Sequence, residues 1–169
     1  MNNVNVKQLF ETREKIIKNQ FPSEREFIVE GEWVFDKHIQ FTGRIEYTNG
    51  IVELSTDQPP QSGGYGNAPN PVQICVFGVI SCYSTTFMTI ASLRGIEIKK
   101  LKAKGSILLD MRSVFEIEDL PVVKKVSVEL DIESDVDRSV LEEIRLLANK
   151  KCPAAYVIQN PIELETKIK

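Results

Sequence analysis

Histidine is almost missing from this chain. His38 stands alone among 169 residues, and the cysteines number only three, Cys75, Cys82 and Cys152. A structural zinc site needs four Cys or His ligands at short spacing, and a Ser-His-Asp machine needs a histidine beside its nucleophile, so neither a dedicated zinc centre nor a His-based triad fits. No CxxC occurs, and neither a lysine-bearing P-loop nor a GxGxxG is present. An excess of positive charge is lacking as well: 21 Lys and Arg stand against 24 Asp and Glu, for a formal net charge of -3, with the lysines scattered among acids. Nucleic acid is therefore not expected as a partner. Met1 to Lys15 lacks the basic-then-apolar layout of a signal peptide, and an odd cysteine count fits a reducing compartment, so a cytoplasmic location is expected.

What is present suffices for one globular core, since 42% of the residues are apolar and 27% charged. From Asn5 to Asn19, Val6, Leu9, Phe10, Ile16 and Ile17 recur at helical spacing and predict an amphipathic docking helix. Phe21-Pro22-Ser23 breaks it, so residues 1–22 read as an N-terminal helical extension and 23–169 as the main domain. Alternation over Phe27 to Phe35 and Phe41 to Tyr47 predicts two strands, with Asp36-Lys37-His38 as the turn. Asn49-Gly50 signals a type I′ hairpin, because both residues tolerate positive φ, and Ile51 to Ser55 returns as a third strand. The Gly- and Pro-rich stretch from Thr56 to Asn70 has the length of a binding or lid loop.

Helix signals then converge. Asn70 suits the N-cap, Pro71 the first helical position and Gln73 the capping-box partner, while Gly95 can close the far end. No charge occurs between Val72 and Leu93. A span of ~20 apolar residues can cross a bilayer, but six Ser and Thr interrupt this one and no basic cluster precedes it, so a core helix is expected and no membrane partner. A helix apolar on all sides in so small a chain needs a partner subunit to cover it. Beyond it, Ile96 to Leu109 and the alternating Val126 to Ile132 predict two strands joined through Asp110 to Pro121. Asp137 caps a helix through Lys151, and Ile162, Leu164, Thr166 and Ile168 alternate as a last strand. The fold class is α+β with antiparallel pairing.

The thiolate, not the thiol, attacks peroxides and disulfides. Free cysteine is among the most buried residue types, which favours a packing role for Cys75 and, taken alone, for Cys82. Cys152 differs, because Pro153 interrupts helical hydrogen bonding directly after it. If the preceding helix simply stops there, its negative end raises the thiol pKa; if Pro153 opens a new turn, Cys152 becomes an N-cap and the pKa falls.

Asn70-Pro71 with Gln73 and Cys82, preceded by Gly63-Gly64-Tyr65-Gly66 and followed by Cys152-Pro153, resembles the superfamily of osmotically inducible protein C and organic hydroperoxide resistance protein (OsmC/Ohr), over about Phe27 to Ile168. The resemblance implies an OsmC-like fold, antiparallel sheets with a long central helix, in an intertwined homodimer with its active sites at the subunit interface. It further implies a cofactor-free thiol peroxidase, in which Cys82 attacks a hydroperoxide substrate, Cys152 resolves the sulfenic acid and an external dithiol reductant restores both. One position departs from the family pattern. In the hydroperoxide resistance branch a glutamate follows the Asn-Pro pair and orients an arginine that polarises the peroxide, whereas this chain has Val72. Arg44 is the candidate arginine, Gln73 a hydrogen-bonding group without charge, and Tyr65 a cover on the glycine loop. Two alternatives stand beside the peroxidase: another thiol activity in the same pocket, such as persulfide or acyl-thiol handling, motivated by Val72, and a non-enzymatic dimeric binding protein whose cysteines only pack.

Overall fold

The computed structural model describes residues 1–35 and 38–169. The expected turn at Asp36-Lys37-His38 thus falls largely outside the described residues. The chain forms two compact units, Thr12–Cys75 and Met1–Glu11 with Val76–Lys169. In order, the elements are α1 (Val6–Ile17), β1 (Glu30–Trp33), β2 (Phe41–Tyr47), β3 (Gly50–Thr56), a single 3-10 turn (Pro60–Ser62), α2 (Pro71–Leu93), β4 (Ile98–Leu109), α3 (Met111–Val114), β5 (Val123–Ser134), α4 (Arg138–Lys151) and α5 (Pro153–Gln159). This is a mixed α+β fold with antiparallel sheets and one long helix.

Within Thr12–Cys75, β2 pairs antiparallel with β1 from Glu30↔Arg44 to Trp33↔Phe41, and with β3 from Phe41↔Thr56 to Tyr47↔Gly50. The hairpin therefore turns on Thr48-Asn49, one residue earlier than the Asn-Gly signal suggests. Neither Asn49 nor Gly50 has positive φ, so the turn is not type I′. Glycine at 50 serves packing instead: a Cβ there would lie 3.1 Å from Oη and 3.3 Å from Cζ of Tyr47. The first strand is shorter than its alternation implies, covering only Glu30–Trp33, all exposed. The loop after β3 is tied by polar bonds around Asp57. That side chain is buried and its Oδ2 accepts the N–H groups of Tyr65 (3.1 Å) and Asn67 (2.9 Å). Gln40 adds two bonds, accepting from Gln58 N–H at 2.9 Å and donating to the Gly63 carbonyl at 3.0 Å.

The other unit is built on the β4–β5 hairpin, paired from Ile98↔Ser134 to Leu109↔Val123. Period-2 alternation sets Lys102 opposite Asp131 and Lys104 opposite Glu129, while Leu101↔Ile132, Ala103↔Leu130 and Gly105↔Val128 occupy the positions between. Gly105 lets α2 approach the strand, because a Cβ there would fall 2.7 Å from Val76 Cγ1 and also collide with Ile80. The buried cluster consists of Tyr83, Phe87 and Ala91 from α2, Ile98 from β4, and Ile144, Ala148 and Cys152 from α4 and its end. Both helices contribute side chains four residues apart, the ridge spacing of four-to-four helix packing. α2 closes in a Schellman turn: Gly95 has φ +70°, Ile96 N–H reaches the Ala91 carbonyl at 2.9 Å and Gly95 N–H the Ser92 carbonyl at 3.1 Å. Asn2 latches onto this corner, donating to Ser92 Oγ (3.0 Å) and the Ile96 carbonyl (2.8 Å) and accepting from Ile98 N–H (2.8 Å).

α1 forms, with Asn5 Oδ1 accepting Gln8 N–H at 3.1 Å; Val6 and Leu9 are half-buried and none of its residues is fully buried. Two expectations need correction. Asp137 occupies the α4 N-cap without a side-chain capping bond. The alternating tail from Ile162 to Ile168 forms no strand: residues 161–169 are exposed and have no strand partner, and α5, which realises the new turn that Pro153 could open, takes the chain out of α4. A strand pattern specifies a face but still needs an edge to pair with.

Candidate active site

The start of α2 is built as the sequence indicates. Asn70 Oδ1 accepts Val72 N–H at 2.7 Å and Gln73 Oε1 accepts Asn70 N–H at 2.9 Å, a reciprocal capping box with Pro71 at the first helical position. Further along the helix lies Cys82, half-buried against the core. Cys152 is fully buried at the junction of two helices. It ends α4, donating its N–H to the Ala148 carbonyl at 2.9 Å, and it begins α5, its carbonyl accepting Tyr156 N–H at 2.9 Å with Pro153 following. The two placements left open by Cys152-Pro153 are thus both realised. This junction brings Cys152 Sγ to 3.4 Å from Cys82 Sγ, both thiols being free.

The electrostatics of Cys82 are mixed. Burial pushes its thiol pKa up, the Ala154 backbone N–H opposes this by donating to the sulfur, and the neighbouring Cys152 thiol adds to the rise. The net direction is upward, so the site holds Cys82 protonated at neutral pH. Tyr83, the next residue, is buried, and its hydroxyl lies 2.7 Å from Asn149 Oδ1 and 3.1 Å from the Arg145 carbonyl on α4. A cavity of about 990 Å³ opens beyond it, lined by Tyr83, Phe87, Val128, Ile132, Leu141 and Arg145 among others, but neither Cys82 nor Cys152 lines it.

The other candidates lie in Thr12–Cys75. Arg44 on β2 is exposed and faces Glu53 across the strand pair at 3.8 Å. Gln73 is engaged in the capping box. Tyr65 stacks on His38 with ring centroids 4.6 Å apart. Cys75, expected to pack, is exposed. Among the described residues no cluster of three or more His, Cys, Asp and Glu side chains is placed to hold a metal ion. Sequence reasoning missed Tyr83, Asn149, Ala154 and Asp57. For Tyr83 the available signal was its position, four residues before Phe87 and eight before Ala91 on one ridge; Asn149 was legible only as a polar residue beside the apolar face of α4.

Solved structures share this architecture. An OsmC-like protein from Mycoplasma pneumoniae aligns with 80% of this chain and 89% of its own at 15% identity and a TM-score of 0.61. An organic hydroperoxide resistance protein OsmC from Legionella pneumophila aligns at 19% identity, 80% and 92% coverage and a TM-score of 0.57. A putative organic hydroperoxide resistance protein from Vibrio cholerae, with captopril bound in one of its active sites, aligns at 17% identity, 82% and 89% coverage and 0.54. No curated protein matches in sequence. At such identities the structural likeness carries the fold. The family model for OsmC-like protein, however, matches residues 64–167, which include both thiols, the capping box and the Cys-Pro junction, and by that match the chain belongs to the OsmC-like protein family.

Proposed function

We propose that the chain is a two-cysteine thiol peroxidase for organic hydroperoxides. The observation that carries it is the 3.4 Å separation of Cys82 and Cys152 Sγ, brought together from 70 residues apart. The Cys82 thiol gives up its proton as its sulfur attacks the terminal peroxide oxygen, the O–O bond breaks, that proton passes to the alkoxide, which leaves as the alcohol, and Cys82 becomes a sulfenic acid. Cys152 sulfur then attacks Cys82 sulfur; a disulfide forms and water departs. An external dithiol reduces the disulfide by exchange. The division of roles follows exposure, since the half-buried Cys82 is within reach of a peroxide and the fully buried Cys152 is not. The relatives named as hydroperoxide resistance proteins support the substrate class.

The working form is a homodimer. Supporting this are the uncovered apolar side chains on either side of β1, Phe27 at 83% and Phe35 at 91% exposure, and the alternating C-terminal tail with no edge to pair with. α2 is long and apolar enough to cross a membrane by length and composition; its Tyr83-Phe87-Ala91 ridge packed with α4 favours a core helix instead.

Intact mass after one equivalent of an alkyl hydroperoxide tests the peroxidase. Wild type is expected to lose two hydrogens, Cys152→Ser to retain oxygen on Cys82, and Cys82→Ser to stay unchanged. An unchanged wild-type mass at excess peroxide sinks the proposal. The uncharged Val72 favours one second reading, sulfur transfer through the same thiol. That reading gains if polysulfide, but not peroxide, modifies Cys82, by the mass of one sulfur atom.

A further inference from the structure

We infer that Tyr83 is a positioning residue for the thiol pair, its hydroxyl fixing the end of α4 so that Cys152 is presented to Cys82; the inference rests on the two-cysteine function proposed above. Tyr83 follows Cys82 directly on α2, so the two side chains diverge by about 100° around the helix axis and meet α4 at separate places. Cys82 meets Cys152 at the very end, 3.4 Å between sulfurs. Tyr83 meets the turn before it, with Asn149 Oδ1 at 2.7 Å and the Arg145 carbonyl at 3.1 Å. One α2 segment therefore grips α4 on both sides of its last turn.

Apolar packing between the ridges Tyr83-Phe87-Ala91 and Ile144-Ala148-Cys152 holds the two helices together but supplies no directional bond. The Tyr83 hydroxyl supplies one: the residue is only 6% exposed, and a shift of α4 along α2 would break its bonds to Asn149 and the Arg145 carbonyl. Besides the thiol pair itself, the described residues join these two regions by the exposed Arg94–Glu143 pair at 3.3 Å, beyond the far end of α2. The acceptor is itself braced: Gln159 Nε2 donates to the Asn149 carbonyl (3.2 Å) and to the Ala155 carbonyl (2.9 Å), joining α5 to α4 across the Cys152-Pro153 junction. Tyr83, Asn149 and Gln159 thus form a brace beside Cys152, none of its hydrogen bonds going to either sulfur.

The test uses Tyr83→Phe and, independently, Asn149→Leu, which keeps the tyrosine ring but removes its side-chain acceptor. The first measurement is the disulfide–dithiol equilibrium of the Cys82–Cys152 pair in a glutathione redox buffer, which requires no peroxide. The second is the single-turnover rate of each step after an alkyl hydroperoxide pulse, sulfenic acid formation and then disulfide closure. Both variants are expected to shift the equilibrium toward the dithiol by about threefold or more and to slow closure by a similar factor, while the first step keeps its wild-type rate. Equal slowing of both steps, or wild-type values for equilibrium and closure in folded variants, overturns the positioning role. A wild type that forms the disulfide in redox buffer but ignores peroxide would instead defeat the peroxidase proposal and leave this inference standing. Near-ultraviolet circular dichroism verifies folding, and if Tyr83→Phe fails to fold, Asn149→Leu decides.

Discussion

In the unit containing Val76–Lys169, Phe87, Ala91, Ile144 and Ala148 close completely on one another, whereas in Thr12–Cys75 Phe27, Trp33 and Phe35 lie open and the fully buried side chain is a carboxylate, Asp57. Both units carry strands and both carry large apolar residues. In the first, helices laid along one face of a hairpin supply a core, and the Cys82 and Cys152 thiols sit at it. In the second, a three-stranded sheet has no layer of its own to cover it, and polar bonds from Asp57 and Gln40 hold its loop. Chemistry that depends on sub-ångström placement is thus found where packing is dense, and surface suited to association where it is sparse.

The sharpest way to break this contrast is Phe87→Ala. Removing a side chain at 0% exposure is expected to lower stability by about 3–5 kcal/mol, read from urea unfolding, and a loss below ~1 kcal/mol would mean that the α2–α4 core is not closed. Next comes Gly105→Ala, whose new methyl must displace Val76 and Ile80 from β4, for a loss of about 1–3 kcal/mol. Asn70→Ala removes the 2.7 Å cap bond at the start of α2 and is expected to remove about 1 kcal/mol. Phe35→Ser should change the stability of dilute protein by less than ~0.5 kcal/mol; if a second copy covers the sheet, the same change also abolishes any rise of Tm with protein concentration.

Titration sharpens the comparison from the chemical side. Burial raises the Cys82 pKa, so its rate of alkylation by iodoacetamide should keep climbing with pH beyond the value at which an ordinary exposed thiol levels off. The linked stability has the same origin: the folded thiol keeps its proton where the unfolded one has lost it, so this contribution is fully present below the unfolded pKa and is lost as pH rises through the folded one. A plateau at or below the ordinary thiol value would show that another positive group reaches the sulfur.

Much of the site was legible because its signals are local. The Asn70-Pro71-Gln73 cap, the Gly95 stop and the Cys152-Pro153 break each depend on residues within a turn of one another, and each forms as read. What escaped depends on distant partners. Tyr83 matters through Asn149, 66 residues away, and no spacing rule joins them. The Asn49-Gly50 turn was misread by one residue: Gly50 pairs with Tyr47 across the hairpin and leaves room for its ring, so the turn falls on Thr48-Asn49. The tail was misread because alternation alone does not provide an edge.

Under the proposed two-cysteine cycle, the Cys152-Pro153 junction bears on how the molecule withstands repeated oxidation. Closing a 3.4 Å sulfur gap to a covalent bond near ~2.05 Å requires about 1.4 Å of travel. Inside an unbroken helix such travel would strain successive hydrogen bonds, but Pro153 has no N–H to lose and the Cys152 backbone, at φ -74° and ψ 121°, is already extended. In the proposed cycle the break works as a mechanical flexure: it bends where Pro153 leaves the ladder without an N–H, while the Cys152 N–H and carbonyl stay bonded to the rods on either side.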